Sequence, residues 1–104
     1  MKSSISQIWI EGEEWAEGEW DADDDNSDVI VTLENGEKWI ATFYTYKNIM
    51  TLKERHRTTG ECLDGNYFWA SDMILIDELT RSKIERVVKE LIETEDFITA
   101  FSPI

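Results

Sequence analysis

From Asp28 to Tyr46 the chain reads DVIVTLENGEKWIATFYTY, two runs of β-branched and aromatic residues on either side of Asn35-Gly36. That pair favours a tight turn, so the pattern predicts a β-hairpin over about 28–46. With a two-residue turn, Val31 faces Ile40 on one side of the ribbon, Thr32 faces Trp39 on the other, and Ile30 lies near Ala41. Glu34 and Glu37 then oppose each other beside the turn, relieved by Lys38. Both faces are partly apolar, which predicts a hairpin inside a sheet with material packed on each side. After Tyr46 the period lengthens. Ile49, Met50, Leu52 and Lys53 fall on helical spacing and Gly60 supplies a stop, predicting a helix over about 47–58. Tyr67–Asp77, YFWASDMILID, reads as one long strand or as two pieces broken near Ser71-Asp72, with Met73–Ile76 a buried central strand. Ser82 and Glu85 form a capping box ahead of the apolar stripe Ile84, Val87, Val88, Leu91, Ile92, predicting a helix over about 82–95. Phe97–Phe101 adds a last strand or packs on the core. Ile5–Glu11 alternates as an edge strand, with Glu14–Asp21 its possible partner. Strands without regular βαβ alternation, plus two helices, predict a single α+β domain over 1–104. Its antiparallel sheet is built on the central hairpin, and the two helices pack against it.

The charge is placed unevenly. The chain of 104 residues carries a net charge of −13, and residues 1–28 hold ten acids against Lys2. Within Trp9–Asp25, WIEGEEWAEGEWDADDD, three tryptophans are interleaved with nine carboxylates and no cation. Such a segment sets up a focused negative field that attracts basic partners and repels nucleic acid and anionic membrane. Trp39 and Trp69 lie in expected strands and read as core, whereas Trp9, Trp15 and Trp20 read as half-exposed anchors of the kind that dominate protein interfaces. The candidate partner-binding residues are therefore Glu13, Glu14, Trp15, Glu17, Glu19, Trp20, Asp21, Asp23, Asp24 and Asp25. The competing assignment is that these rings close the end of a small core and the acids only solubilise them.

Other chemistry is poorly supported by the sequence. Asp23, Asp25, Ser27 and Glu34 fall at calcium-loop positions, but Asp28 stands where the template needs glycine, and the loop runs into a strand rather than a helix. No metal or cofactor is expected. His56 and Cys62 are single residues of their kinds, on opposite sides of the Gly60 stop. They read as a solvated helix-end cation and a packed thiol rather than a catalytic pair. Phosphate-binding, dinucleotide and nucleophile-elbow motifs do not occur, so the expected class is not an enzyme. The basic run Lys53–Arg57, KERHR, complements a helix dipole and could bind acidic groups of the same chain. One cysteine cannot form an internal disulfide, the first residues do not form a secretory signal, and no stretch reaches the length of a membrane span. The expected location is cytoplasmic.

The stretches EKWIATFYTYKNI (Glu37–Ile49) and GECLDGNYFWASDMILID (Gly60–Asp77) are similar to ones in small bacterial proteins of toxin-neutralising systems. The chain resembles the immunity proteins of polymorphic-toxin and contact-dependent growth-inhibition systems. That resemblance implies a cytoplasmic protein that binds and neutralises one toxin domain, often a nuclease. A nuclease's basic groove would suit the Glu13–Asp25 acids as phosphate substitutes. Two alternatives stand beside it. One is a nucleic-acid mimic inhibiting a DNA-binding enzyme, which needs acids spread along a surface. The other is a small acidic adaptor or regulatory domain that binds without inhibiting.

Overall fold

The computed structural model describes residues 4–16 and 18–104. Its sheet runs β1 (Ile5–Ile10), β2 (Asn26–Leu33), β3 (Lys38–Thr45), β4 (Met73–Ile76), and a short β5 (Ser102–Pro103) also pairs with β3. The helical elements are a 3-10 turn (Glu11–Glu14), α1 (Tyr46–Thr59), α2 (Glu61–Gly65), α3 (Arg81–Glu93) and α4 (Phe97–Ala100). The α+β class, the hairpin and the two longer helices are those the sequence predicts. β1–β2, β2–β3 and β3–β5 pair antiparallel, while β4, reached through α1 and α2, runs parallel to β3. β4 and β5 occupy two ends of one edge of β3, joined by a 2.7 Å hydrogen bond from Ser102 Oγ to Asp72 Oδ1.

Several expectations are corrected. The hairpin closes through a three-residue loop, Glu34–Gly36: Gly36 N donates to Leu33 O and Leu33 N to Glu37 O, both at 2.9 Å. Gly36 takes φ +90°, the left-handed position such a loop requires. The extra residue slides the register by one, so Val31 faces Trp39, Ile30 faces Ile40 and Val29 faces Ala41. Glu34 therefore lies in the loop and does not oppose Glu37. Only Met73–Ile76 of the Tyr67–Asp77 run is a strand, and it lies at the sheet's edge, not its centre. The described residues of Glu14–Asp21 form no strand, and β1 takes β2 as partner. Of the two expectations for Phe97–Phe101, packing on the core holds and the strand does not: a short helix leads into β5.

The register decides what each face buries. Ser27, Val29, Val31 and Leu33 of β2 fall beside Ala41, Phe43 and Thr45 of β3, all buried. With Ile8, Ile10 and Ile76 they meet Leu79, Ile84, Val88, Phe97 and Phe101 in one core. Phe101 stacks on Phe97 at 4.5 Å between centroids and meets Phe43 edge-on at 6.2 Å. The α3 stripe forms as expected, with Ile84 and Val88 fully buried and Val87, Leu91 and Ile92 partly so. Its cap does not. Thr80, not Ser82, accepts from Lys83 N, and Glu85 instead takes Arg81 at 3.0 Å. α1 starts where buried Thr45 accepts from Asn48 N at 3.0 Å, and it stops at Gly60 (φ +85°).

Candidate partner-binding surface

Trp9–Asp25 carries the charge and aromatic signal, and the fold divides it into a fixed inner half and an exposed outer half. Trp20 turns inward: its Nε1 donates to Leu79 O at 2.7 Å and its ring packs against the core. Gly12 makes room for it, since a Cβ there would sit 2.7 Å from the Trp20 ring, and Gly12 N donates to buried Ser27 Oγ at 2.9 Å. Leu79 N donates to Ala22 O at 2.7 Å, so a two-way stitch ties the acidic loop to the start of α3. The tryptophan expected to anchor a partner instead anchors its own loop.

Three of the expected partner-binding acids are also engaged inside the fold. Glu13 is held in a two-pronged ion pair by Arg81, whose Nη2 and Nε lie 2.7 and 2.8 Å from its carboxylate oxygens. The same guanidinium donates to Ile8 O at 2.9 Å on the outer side of edge strand β1. The hydrogen bond from Arg81 holds the Glu13 carboxyl below its ordinary range, and Glu13 in turn raises the guanidinium. Asp24 reaches the first turns of α1, accepting from Asn48 Nδ2 at 2.9 Å and Thr51 Oγ1 at 2.8 Å. The bonds from Asn48 and Thr51, then Lys47 and Arg55, hold its carboxyl low. Arg55 of the KERHR run thus supports an acid of the same chain, as the sequence allows. Asp25 accepts from Asn26 N and Asp21 N, and Thr45 N donates to its carbonyl.

The remaining expected residues face outward. Glu14, Glu19, Asp21 and Asp23 are exposed, and no described cation pairs with them. Asp21 Oδ1 accepts from Asp23 N at 3.0 Å, which shapes the turn without neutralising either acid. Trp15 is half-buried, tilted against Trp20 with centroids 6.4 Å apart. Glu17 lies outside the described residues. The whole of Asp21–Asp28 is placed by these bonds.

Trp69, expected to be core, shows the opposite. Trp69 is 69% exposed, Leu63 70% and Tyr67 51%, while Phe68 between them turns in against Tyr44 (5.4 Å) and His56 (6.1 Å). Burial and then the Asp28 carboxylate push the Tyr44 hydroxyl up. His56, expected to be solvated, is buried under Phe68, with Nε2 3.9 Å from Glu61 and Nδ1 unpartnered among the described residues. Cys62, Leu63 and Asp64 take φ of 52°, 51° and 60°, a left-handed turn that costs about 1–2 kcal/mol per residue. Gly65 clamps that turn onto α1, its missing Cβ lying 2.5 Å from Lys53 O. The three exposed side chains therefore project from a fixed backbone. A sequence signal for this clasp exists in Gly60 and Gly65 flanking the segment, which mark positions needing positive φ.

No three His, Cys, Asp or Glu side chains among the described residues are grouped to hold a metal. A cavity of about 210 Å³ is lined by Leu33, Trp39, Ile92, Phe97 and Ile98, with Glu37 and Glu95 beside them. No described helix is long and apolar enough to cross a membrane.

Comparison with family models, curated proteins and solved structures gives no match to this chain.

Proposed function

We propose that the protein is an inhibitor that binds a basic protein domain, in the manner of an immunity protein neutralising a nuclease toxin. The observation carrying this reading is the acidic loop: a stitched backbone presenting Glu14, Glu19, Asp21 and Asp23 without cationic partners among the described residues, beside half-buried Trp15. A fixed array loses less conformational entropy on binding than a disordered acidic tail, and its field speeds encounter with a basic groove. Glu14, Glu19, Asp21 and Asp23 lie close in sequence on this one loop, and that local density favours a plug over an extended nucleic-acid mimic.

Glu14, Glu19 and Asp23 hold no described partner through their side chains, so replacing all three by lysine leaves the fold intact. Affinity capture of a basic partner from native lysate is expected to fall about 100-fold in that variant. It should also weaken with salt, and the captured protein's activity should be suppressed by the wild type. Capture unchanged by the three lysines would overturn the acidic-loop mechanism. Capture without loss of the partner's activity would make the protein an adaptor.

A further inference from the structure

The register that gives the sheet one deeply buried face leaves an opposite face outside the main core, its Tyr44 end packed against Phe68. Trp9, Ile30 and Ile40 stand side by side across β1, β2 and β3, and Met73 and Leu75 continue the apolar surface onto β4 beside Thr42 and Tyr44. None of these five apolar residues belongs to the core cluster; four are half-buried and Leu75 is exposed. Valine or isoleucine in mid-strand on a wetted face is usually replaced by threonine or charge, so an apolar row there marks a contact surface.

Charge indicates what it contacts. Asp28 lies on this face, its carboxylate accepting the Thr42 hydroxyl at 2.7 Å, and Glu11 Oε1 accepts from Asp28 N at 3.4 Å. Lys38, opposite Thr32 at the far end of the hairpin, is the cation on the described strands of this face. Asp28 continues directly from the acidic loop, so the end of the apolar row nearest that loop is edged by the Asp28 and Glu11 carboxylates, while Lys38 lies at the opposite end.

We infer that the sheet face of Trp9, Ile30, Ile40, Met73 and Leu75, edged by Glu11 and Asp28, docks a basic amphipathic segment of a protein partner. The inference rests on the reading of the protein as a binder of a basic domain and adds to it a desolvated contact, which supplies most of the energy in protein interfaces. The loop would set the encounter rate and the sheet face the lifetime of the complex.

The test uses two synthetic probes of equal length and charge, an alternating lysine–leucine peptide and an alternating lysine–serine peptide, titrated into the full chain and followed by amide and indole NMR shifts. The lysine–leucine peptide is expected to bind at least about tenfold tighter, the loss of one or two desolvated aliphatic contacts. Its shifts should centre on the Trp9 indole, Ile30, Ile40 and Met73. Ile30→Thr with Ile40→Thr, both sheet-compatible, should remove that preference while leaving the lysine–serine peptide unaffected. Should the pair fail to fold, Leu75→Ser at the exposed edge reads the same loss. Equal affinities with shifts confined to Glu14–Asp25 would overturn the sheet-face contact and leave the acidic loop standing, whereas no binding of either peptide would overturn both. Concentration-dependent self-association through the same face, seen by sedimentation, would assign it to a second copy of the chain instead.

Discussion

The acidic segment 9–25 and the clasp 60–70 exchange the roles their compositions suggest. Trp20 sits among carboxylates yet hydrogen-bonds Leu79 O and packs on the core, while Trp69 sits in an aromatic run yet is 69% exposed. The difference teaches that a tryptophan's fate follows the backbone that carries it, not the polarity of its neighbours. Trp20 has a glycine opposite and a free carbonyl within reach. Trp69 follows Phe68, which takes the inward position between Tyr44 and His56.

The contrast is open to attack at four points. Trp20→Ala is expected to cost about 3 kcal/mol in chemical denaturation, through lost packing and an orphaned carbonyl, and a cost under about 1 kcal/mol would make the acidic loop a mere attachment. Gly65→Ala forces a Cβ against Lys53 O at positive φ and is expected to cost about 2–3 kcal/mol. Its readout is lost protection of α1 amides in hydrogen exchange. The acids come next. Glu13 and Asp24 have folded pKa values below their unfolded ones, so their contributions are present above the unfolded carboxylate range and vanish as pH falls through the folded values. Melting temperature should therefore drop below about pH 4. Asp24→Asn should blunt that drop, at a cost of about 1 kcal/mol at neutral pH. Smallest is Trp69→Ala, expected to change stability by less than about 0.5 kcal/mol, and a larger loss would return Trp69 to the core.

Much of the fold was legible because its signals are local. Asn35-Gly36 marks the hairpin, Gly60 ends α1, and the Ile84–Ile92 stripe gives α3 its buried face. What the sequence hid depends on distant or single-residue detail. The register turns on whether Glu34 belongs to the loop. The Thr80 cap was masked by Ser82 and Glu85 at capping-box spacing, because Glu85 is drawn to Arg81. The β3–β4 pairing is parallel because the α1–α2 crossover returns the chain to the same end of the sheet. Of the candidate residues, Glu14, Glu19, Asp21 and Asp23 lie exposed and Trp15 half-buried, whereas Glu13, Trp20, Asp24 and Asp25 hold the loop. Nothing short-range distinguishes Glu13 from Glu14. Arg81, which does so, is 68 residues away.

Arg81 has one more consequence, concerning self-propagation rather than stability. Ile5–Ile10, ISQIWI, is uncharged, proline-free and strand-forming, and it lies at an edge of the sheet, the composition from which cross-β fibrils grow. The Arg81 guanidinium occupies Ile8 O, midway along that edge, with a charge that an incoming strand would have to displace. Fibril growth in Arg81→Ala but not in Glu13→Ala would separate this task from the ion pair. The side chain that ties the acidic loop to α3 thus also blocks the position where a second molecule would begin to stack.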